Sequence, residues 1–419
     1  MEKITVKNLF KVFGEQPEEA MSLLRDGKSK QEIYELTGMT VGVQDANFSV
    51  MAGETFVIMG LSGSGKSTMV RMINRLVEPT AGELLVDGED VLQMSGDELV
   101  RFRRGRTCMV FQSFALMPHL SVLDNAAFGL ELSGVDKGQR HERARQALEQ
   151  VGLKGWENAW PKELSGGMQQ RVGLARGLTV DPDIMLMDEA FSALDPLIRT
   201  EMQDELIKLQ ENQQRTIVFI SHDLNEALRI GDRIAIMEGG RVVQVGTPEE
   251  ILQNPVDDYV RAFFRGVDPT GVLSAGDVAL QSQPTVIWRR EKGDVRAVLE
   301  QLNQYDREFA YVLGRNRSFH GVVSADSLRS LLDRGGDHIR EAFLPDVSVV
   351  HSDESLQNIL PAVAHQPWPI PVVDENGVYR GVISKNRFLR TLHWAEQGTL
   401  SEGFAENLQP EPITLKDSL

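Results

Sequence analysis

A glycine-rich stretch at residues 60–68, GLSGSGKST, constrains the fold more than any other part of the chain. It fits the phosphate-loop pattern G-x-x-x-x-G-K-[ST], in which successive backbone N–H groups turn inward around a triphosphate. The apolar run 56–59 before it predicts a buried strand, and residues 69–76 after it predict a helix. The apolar stripe of that helix comprises Met69, Met72, Ile73 and Leu76. Strand, turn and helix are the context that the pattern requires, and they disfavour a chance glycine-rich turn.

Two residues of this loop have defined roles in the pattern. Lys66 is expected to reach the β- and γ-phosphates, and Ser67 is expected to place its hydroxyl on Mg²⁺. The N-terminus of the following helix adds its positive end to the same site. The loop residues that we expect to bind the nucleotide are Gly60, Ser62, Gly63, Ser64, Gly65, Lys66, Ser67 and Thr68.

The length and charge of the chain limit its partners. At 419 residues, two or three domains are expected, each large enough for its own core. The formal charge of −17 argues against a general nucleic-acid binder and leaves no basic face for anionic lipid. The single cysteine, Cys108, lies in an apolar run and is expected to be a core residue rather than a nucleophile or ligand.

Two observations predict a soluble, cytoplasmic protein. The N-terminus alternates like a strand and lacks the charged-then-apolar form of a signal peptide. No stretch approaches the length of continuous apolar sequence that a membrane-spanning helix requires. Any association with a membrane is therefore expected to come through a partner.

Residues 1–265 are predicted to form one α/β domain. Short apolar strands, such as 184–187 and 217–220, alternate with helices, which indicates a mainly parallel sheet. An antiparallel β subdomain is expected beside it, and the pattern of residues 233–245 predicts a hairpin. Residues 15–42 interrupt an alternating strand pattern, and we interpret them as an inserted, solvated hairpin of two short helices.

The chain changes character after this domain. Residues 266–284 are rich in Pro, Gly, Ser and polar residues and are interpreted as a linker. Residues 285–393 contain an internal repeat, in which the segment GVVS at Gly321 matches GVIS at Gly381, 60 residues further on. Residues 394–419 are acidic and low in hydrophobic residues, which predicts a loosely ordered tail.

Two further signals point to phosphate chemistry. Asp188 and Glu189 end an apolar strand, where one carboxylate can hold Mg²⁺ and the next can orient or deprotonate an attacking water. Ser165, Gly166 and Gly167 begin a predicted helix with a bare set of N–H donors at its positive end. A plain helix cap would not need two glycines. Because the chain already holds a triphosphate on its own loop, this second phosphate-facing surface predicts a second subunit.

With these motifs in place, the sequence resembles the ATP-binding cassette (ABC) family over almost all of residues 1–265. The segments that carry the resemblance are the loop at 60–68, Gln112 as the Q-loop residue, Leu164–Gln170 as the signature, Met187–Glu189, Ser192–Asp195 as the D-loop, and His222 as the switch histidine. The resemblance implies that two ATP molecules are sandwiched head to tail between two copies of the domain.

The resemblance also implies a role for each site residue. Glu189 is the implied general base, His222 the contact to the γ-phosphate, and Gln112 a Mg²⁺ ligand that also senses the membrane partner. The implied catalytic residues are Glu189, His222 and Lys66; the implied Mg²⁺ ligands are Ser67, Gln112 and Asp188; and the signature residues Ser165, Gly166 and Gly167 complete the nucleotide site with Asp195. Phe13 is the candidate for stacking on adenine, with a core position as the alternative.

Two segments make the resemblance narrower. Residues 112–119 and 187–196 look like those of the ATPase subunits of glycine betaine/proline betaine importers, and the 15–42 insert is shared with that subgroup. Ala190 stands where many importer ATPases have proline.

The repeat at 285–393 resembles a tandem pair of CBS domains, which that subgroup uses in osmotic or ionic-strength regulation. CBS domains that bind adenosine nucleotides often carry Asp where this chain has Ser327 and Arg387. This departure disfavours nucleotide binding and leaves open a cyclic dinucleotide at the interface of the pair, or a packing role alone. The expected fold is therefore an α/β phosphate-loop cassette with a mainly parallel sheet and an antiparallel β subdomain, followed by an α+β tandem CBS pair.

The resemblance implies an ATPase that drives import of compatible solutes from the cytoplasmic face of the inner (plasma) membrane. Its implied partners are a second copy of itself, a separate integral membrane permease and a periplasmic or extracellular substrate-binding protein or domain, with no nucleic acid. The apolar segment 112–119 suits docking of a short permease helix. The alternatives are an importer ATPase for a different solute, a ligand-sensing module in which hydrolysis is subordinate, and a non-transport cassette acting on ribosomes or nucleic acid. Chains of that last class usually carry two cassettes, or a long coiled coil between loop and signature.

Overall fold

A computed structural model describes residues 1–112, 114–265, 267–281, 283, 285–287, 295–314 and 316–397, with only the backbone described at 212–213 and 393–397. The chain divides into two compact units, Met1–Phe263 and Phe264–Leu419. Most of the predicted acidic tail, from residue 398 onward, lies outside the described residues. No helix among the described residues is long and apolar enough to cross a membrane.

The first unit contains the strands and helices that the phosphate-loop pattern predicts, together with a helical region. Its strands are β1 (Glu2–Phe13), β2 (Thr40–Met51), β3 (Thr55–Met59), β4 (Ala81–Val86), β5 (Glu89–Asp90), β6 (Thr107–Phe111), β7 (Ile184–Asp188), β8 (Thr216–Ser221), β9 (Arg233–Glu238) and β10 (Arg241–Gly246). Its α-helices are α1 (Pro17–Arg25), α2 (Lys30–Thr37), α3 (Lys66–Ile73), α4 (Gly96–Gly105), α5 (Val122–Leu132), α6 (Lys137–Gln150), α7 (Gly166–Thr179), α8 (Pro196–Gln213), α9 (Leu224–Ile230), α10 (Pro248–Gln253) and α11 (Asp258–Phe263).

A six-stranded sheet forms the centre of this unit, in the order β10-β9-β3-β8-β7-β6. The pairs from β9 through β6 are parallel, and only β10 runs antiparallel, as the partner of β9 in the predicted hairpin. Every residue of β3, β7 and β8 is buried, which explains why these strands are continuous apolar runs rather than alternating ones. The predicted mainly parallel α/β core is confirmed.

A second, antiparallel sheet has the order β2-β1-β4-β5. Helix α3 lies in one apolar cluster with residues of both sheets, and Phe48 of β2 stacks on Phe56 of β3 with ring centroids 5.2 Å apart. The 15–42 insert forms the expected helical hairpin, and it buries Ala20, Met21 and Ile33 in a small core of its own against β1 and β2. The inserted hairpin is therefore anchored to the antiparallel sheet.

Helix α3 begins and ends three residues earlier than predicted. Gly65 is its N-cap, so Lys66 of the loop already lies in the helix, which ends at Ile73 with Asn74 as its C-cap. Arg75 adopts a φ of 51°, which turns the chain, and Leu76 is 51 % exposed rather than part of the buried stripe. The predicted start of the helix was wrong because the last residues of the loop motif also form the first helical turn.

The second unit contains two copies of one small fold. Its strands are β11 (Thr285–Ile287), β12 (Phe309–Leu313), β13 (Phe319–Ser324), β14 (Val350–His351), β15 (Ile370–Val373) and β16 (Tyr379–Ile383), and its α-helices are α12 (Ala275–Val278), α13 (Val295–Gln304), α14 (Ala325–Asp333), α15 (Leu356–His365) and α16 (Lys385–Gln397). The sheets β11-β12-β13 and β14-β15-β16 each pair their first two strands in parallel and their last two antiparallel. The predicted internal repeat is thus confirmed in three dimensions.

The segment 266–284, which the sequence led us to interpret as a linker, is folded into the second unit wherever it is described. Helix α12 lies within it, and the N–H of Ala275 donates to the carbonyl of Glu354 at 2.8 Å. The backbone of Leu280 exchanges two hydrogen bonds with Val382, of 3.0 and 2.9 Å. The linker interpretation was wrong because Pro269 and Ser274 begin short helices there. Turn-forming residues signal helix starts as well as free linkers.

Candidate nucleotide-binding site

The polar motifs of the first unit meet because neighbouring parallel strands end level with one another. Met59 at the end of β3 pairs with Ser221 at the end of β8, and Asp188 at the end of β7 pairs with Ile220 of β8 and with Phe111 of β6. The residues that follow these strands are Gly60, His222, Glu189 and Gln112. Four motifs that are far apart in sequence therefore lie along one edge of the sheet, where ligands of α/β proteins bind.

The glycines of the loop are required by its backbone. Gly60 has a φ of 152°, and a Cβ at that position would stand 2.2 Å from the carbonyl oxygen of Met237. Gly65 has a φ of 101°, and a Cβ there would stand 2.4 Å from the carbonyl oxygen of Gly42. Both positions lie in the left-handed region that side chains rarely adopt. A side chain at either point would strain the backbone and collide with a carbonyl oxygen, which favours glycine there.

The N-terminus of α3 has open hydrogen-bonding capacity. Its N-cap is Gly65, which offers no side chain to the first N–H groups of the helix. The hydroxyl of Ser64 is buried, at 4 % exposure of the residue, and has no hydrogen-bond partner among the described residues. Free donors at the positive end of a helix suit the oxygens of a phosphate group.

The Lys66 amine lies inside the loop. Its Nζ donates to the carbonyl oxygens of Gly60 and Leu61 at 2.8 and 3.1 Å. Burial lowers the pKa of Lys66, and the nearby carboxylates of Glu189 and Asp188 oppose this effect. Neutral carbonyls replace little of the hydration of an ammonium group, so a phosphate is a better partner for this amine than the present ones.

Asp188 is joined directly to the loop helix. Its Oδ1 accepts a hydrogen bond from the hydroxyl of Ser67 at 2.8 Å, and its Oδ2 pairs with Nη2 of Arg71 at 3.0 Å. The residue is 5 % exposed. Arg71 was not singled out from the sequence, although its spacing of four residues from Ser67 puts both side chains on one face of α3.

Glu189 is the meeting point of two other motifs. Its Oε2 lies 3.4 Å from Nδ1 of His222 and accepts from Nε2 of Gln112, also at 3.4 Å. Glu189 itself has a φ of 48°, in the left-handed region. Such a backbone persists only where the surroundings hold it, and it is common at functional sites. The predicted general base, the predicted γ-phosphate contact His222 and the predicted Mg²⁺ ligand Gln112 thus lie in one cluster.

The donor set beside the loop fits Mg²⁺. Among the described residues, no group of three or more His, Cys, Asp or Glu side chains could hold a metal ion alone. Mg²⁺ does not need such a group, because it usually takes one or two carboxylates, waters and the oxygens of a bound phosphate. The Ser67 hydroxyl and the Asp188 carboxylate are oxygen donors already within 2.8 Å of each other.

The predicted signature residues form the start of a different helix. Ser165 is the N-cap of α7, and its hydroxyl accepts from the N–H of Met168 at 3.3 Å. Ser165 and Gly166 are exposed, whereas Gly167 is buried, and a Cβ on Gly167 would stand 2.5 Å from Cγ2 of Ile198. The hydrogen bond of Ser165 stays within its own helix, so this surface is free to meet another molecule.

Two predicted residues lie at the margin of the site. Asp195 is the N-cap of α8, where its carboxylate accepts from the N–H of Ile198 at 3.1 Å. Phe13, at the end of β1, is 42 % exposed, with the ammonium of Lys11 5.0 Å from its ring centroid. Its ring lies against Gly42, whose carbonyl oxygen is the close neighbour of Gly65. Phe13 is therefore a half-exposed aromatic beside the loop rather than a core residue.

Comparison with known proteins decides the family. A sequence model of the ABC transporter family matches residues 43–192, and a CBS domain model matches residues 339–393. The chain is 56 % identical over 390 residues to the glycine betaine/proline betaine transport system ATP-binding protein of Salmonella typhimurium, an alignment that spans 93 % of this chain and 97 % of that protein. It is 46 % identical over 407 residues to the glycine betaine transport ATP-binding protein of Bacillus subtilis, with 97 % and 96 % covered. The chain belongs to the ABC transporter family.

Solved structures of the family agree with this assignment. A dimeric ATP-binding cassette, solved in a post-hydrolysis state with ADP and Pi, is 32 % identical, with a TM-score of 0.50. That likeness covers 58 % of this chain and 98 % of the solved one. As a member of the ABC family, the chain is an ATPase, and the resemblance predicted from its motifs is confirmed.

Proposed function

We propose that this ABC protein binds ATP and Mg²⁺ at the edge of its parallel sheet and hydrolyses the γ-phosphate. The single observation that carries the proposal is the convergence of the open N-terminus of α3 with Asp188, Glu189 and His222 at that edge. The N–H groups of residues 60–68 and the Lys66 amine bind the β- and γ-phosphates. Phe13 stacks on the adenine, for which its half-exposed ring is available.

The reaction divides among the residues at the strand ends. Ser67, Asp188 and Gln112 would hold Mg²⁺, which would neutralise charge on the phosphate oxygens. Glu189 accepts a proton from the attacking water, and His222, 3.4 Å from that carboxylate, contacts the γ-phosphate. Arg71 holds the second oxygen of Asp188, so that the first stays turned toward Ser67.

Two copies of the chain complete each ATP site. Ser165 and Gly166 are exposed at the start of α7, where the Ser165 hydroxyl caps the N–H of Met168 and no side chain caps the N–H groups of Gly166 and Gly167. In the proposed dimer, this surface, together with Gly167 and the Asp195 loop, closes over the ATP held by the partner's phosphate loop. The relative solved with ADP and Pi is a dimer, which supports this arrangement.

We further propose that ATP hydrolysis drives uptake of glycine betaine, proline betaine or a related quaternary amine. The two relatives aligned over nearly the whole chain are ATP-binding proteins of transport systems for these solutes. The proposed partners are an integral membrane permease and an extracellular or periplasmic substrate-binding protein or domain. This places the chain at the cytoplasmic face of the plasma membrane, held there by the permease.

A groove in the first unit is the proposed docking site of the permease. It has a volume of about 280 Å³ and lies between β6 and the helices α5 and α7. Its apolar lining includes Phe111 and Phe128, with the half-exposed Leu76 and Leu132. Its basic lining residues are Arg103, Arg104 and Arg176. A short permease helix with an apolar face and a carboxylate at its edge would satisfy both parts of the groove.

The predicted docking segment 112–119 is connected to this groove by Arg176. The guanidinium of Arg176 donates to the carbonyl oxygens of Ala115 and Phe114 at 2.7 and 3.3 Å. Ser113 lies outside the described residues. A helix seated in the groove would therefore press on the residues that follow Gln112, and this connects docking to the nucleotide site.

Uptake in reconstituted membranes tests the function. Vesicles containing this chain, its permease and its substrate-binding protein or domain should accumulate labelled betaines only with internal ATP, over a range of internal salt. Uptake of a different solute class would overturn the solute assignment. Co-purification with ribosomes and no stimulation by any permease would favour the non-transport alternative.

A charged substitution tests the docking site. Leu116→Glu should abolish the part of ATP hydrolysis that transported solute stimulates and should leave basal hydrolysis in place, because the carboxylate disfavours burial of the apolar helix. Val256→Glu is the matched control, since Val256 is 61 % exposed and distant in sequence from the groove. Full stimulation in Leu116→Glu would show that the segment 112–119 takes no part in docking.

The second unit is proposed to regulate the ATPase according to internal ionic strength. Deletion of the second unit tests this proposal. The deletion should begin at residue 264 rather than at 285, because the segment 267–281 is folded into the second unit. The shortened chain should keep basal hydrolysis and lose its dependence on salt. A salt response that survives the deletion would place the sensor in the first unit or the permease.

A further inference from the structure

One arginine joins two loops that reach the nucleotide site from different elements. Arg199 lies in the first turn of α8, immediately after the D-loop. Its Nη2 donates to the carbonyl oxygens of Ser192 and Leu194 at 3.4 and 3.2 Å, and its Nη1 pairs with Asp223 at 3.3 Å. Asp223 directly follows the switch histidine His222. A single guanidinium therefore holds the D-loop on one side and the switch loop on the other.

The D-loop side of this bridge leads to the general base and the signature. The hydroxyl of Ser192 donates to the carbonyl oxygen of Glu189 at 2.9 Å, and its N–H donates to the same atom at 3.2 Å. Ile198, the neighbour of Arg199, lies against Gly167 so closely that a Cβ there would be 2.5 Å from its Cγ2. A shift of the first turn of α8 must therefore move both Glu189 and the signature helix.

The switch side is fixed by hydrogen bonds of Asp223 and by buried hydrogen bonds of Glu226. The Asp223 carboxylate caps α9 by accepting from the N–H groups of Asn225 and Glu226 at 2.9 and 3.3 Å. The hydroxyl of Ser221 donates to Glu226 at 2.5 Å, and Gln203 of α8 donates to the other oxygen of that carboxylate at 3.1 Å. Glu226 is 6 % exposed, and burial raises its pKa. His222 is thus held from both of its neighbours, while its own side chain stays exposed.

We propose that Arg199 is a positioning residue for hydrolysis: its guanidinium fixes the D-loop relative to His222. This role rests on the proposed function, in which Glu189 and His222 act on the γ-phosphate. Only a planar guanidinium can serve two carbonyl oxygens and a carboxylate at once in this geometry, so lysine is not an equivalent residue. Among the described residues, the hydrogen bonds of Arg199 do not reach the phosphate loop. We therefore expect Arg199 to affect turnover rather than ATP binding.

Steady-state hydrolysis by the full chain tests this role. Arg199→Met should lower kcat by on the order of tenfold or more and change the KM for ATP by less than about twofold, because misplacement of a catalytic group affects the transition state first. Arg199→Lys should recover little of this loss. The matched control is Arg229→Met, which removes the ion pair between Arg229 and Asp204 on the same two helices, α9 and α8. It should leave kcat unchanged.

A double-mutant cycle adds a readout that loss of stability does not move. Asp223→Asn keeps a helix cap and removes the charge that pairs with Arg199. Its effect on kcat should be smaller in the Arg199→Met background than in the wild type, since both changes break one interaction. Additive effects, or an Arg199→Met enzyme that turns over like Arg229→Met, would overturn the positioning role. Retained hydrolysis in Glu189→Gln would instead overturn the proposed function, which keeps the two failures distinct.

Discussion

Two helices of this chain treat their first N–H groups in opposite ways, α3 after the phosphate loop that follows β3 and α14 directly after β13. Helix α3 of the first unit has Gly65 as its N-cap, with no side chain to accept a hydrogen bond. Helix α14 of the second unit has Ser324, whose hydroxyl accepts from the N–H of Ser327 at 3.0 Å. The hydroxyl of Ser327 accepts in return from the N–H of Ser324 at 2.9 Å. The first helix start is open, and the second is closed by its own side chains.

This difference separates a binding site from a packing element. Free N–H groups at the positive end of α3 are satisfied when an anion arrives, whereas the donors of α14 have little left to offer a ligand. In the second repeat, Ser384 likewise accepts from the N–H of Arg387 at 3.1 Å, and Arg387 donates to the carbonyl oxygen of Val278 at 3.3 Å. Ser327 and Arg387, which stand where adenosine-binding CBS domains often carry the ribose-binding Asp, both form hydrogen bonds within the second unit.

The largest expected effect lies beside the open helix start. Glu189→Gln should lower ATP hydrolysis about 100-fold or more, because the amide cannot accept the proton of the attacking water. The variant should still bind ATP and accumulate as an ATP-bound dimer, which phosphate release and size-exclusion chromatography measure together. Glu201→Gln, which alters an exposed ion pair with Arg171, is the control and should hydrolyse ATP normally. Unchanged turnover in Glu189→Gln would remove this carboxylate from the mechanism.

The next largest effect is expected when a side chain is added to the open loop, which should weaken ATP binding. Gly65→Ala should raise the dissociation constant for ATP by about tenfold, equivalent to about 1.4 kcal/mol, because its Cβ must displace the backbone of Gly42. Gly88→Ala is matched for strain, since Gly88 has a φ of 81° and its Cβ would meet nothing within 4 Å. Calorimetric titration should show weaker binding in Gly65→Ala alone. Equal ATP affinities in the two variants would mean that the loop tolerates a side chain at position 65. The need for an open loop would then not explain the glycine there.

The comparison also shows what a sequence can and cannot predict. The loop, the strand ends and the repeat were predicted because each is a local pattern: an apolar run followed by a turn of fixed composition. Arg71 was missed because its partner Asp188 lies 117 residues away, and only the order of strands in the sheet brings them together. Arg199 was missed because its partner Asp223 lies 24 residues away, and their contact depends on how α8 and α9 meet.

The misplaced linker shows a different limit. Residues 266–284 were assigned by composition, and composition does not distinguish a solvated connection from a segment whose backbone is bonded to a distant strand. The hydrogen bonds between Leu280 and Val382 span 102 residues of sequence, beyond any local pattern. The start of α3 was misplaced by three residues because Lys66, Ser67 and Thr68 belong to a motif and to a helix at once.

Opening the closed helix start should affect stability alone. Ser324→Ala removes the cap of α14 and should lower the free energy of unfolding of the second unit by about 1 kcal/mol. Denaturant titration measures this change, and basal ATP hydrolysis should be unaffected. Ser330→Ala, an exposed position later in the same helix, should be neutral or slightly stabilising, because alanine has the higher helix propensity. A loss of basal hydrolysis in Ser324→Ala would show that this helix start does more than hold the repeat together.

The smallest expected effect concerns a lysine of the insert that lies close to the open loop. The Nζ of Lys30 would be 2.6 Å from a Cβ on Gly240, whose N–H donates to the carbonyl oxygen of Ser64 at 3.0 Å. Burial, with Arg241 nearby, lowers the pKa of Lys30 from 10.5 to about 8. A lysine with a lowered pKa costs the folded state free energy while it is charged. Below about pH 8 the amine is charged in both the folded and the unfolded state, so the full cost is present. Above about pH 10.5 the amine is neutral in both states, and the cost is gone.

Lys30→Met should therefore stabilise the first unit at pH 7 without nucleotide. The side chain is partly exposed, so the gain is expected to be about 1 kcal/mol, or about 2 °C in melting temperature. The difference from wild type should shrink steadily between pH 8 and pH 10.5, as the wild-type amine loses its proton. Lys28→Met, in the turn before the same helix, breaks only an exposed pair with Glu32 and should give no gain at any pH. If Lys30→Met were more stable than wild type by the same amount across this pH range, its effect would come from apolar packing. The charge of Lys30 would then not be unfavourable to the folded state.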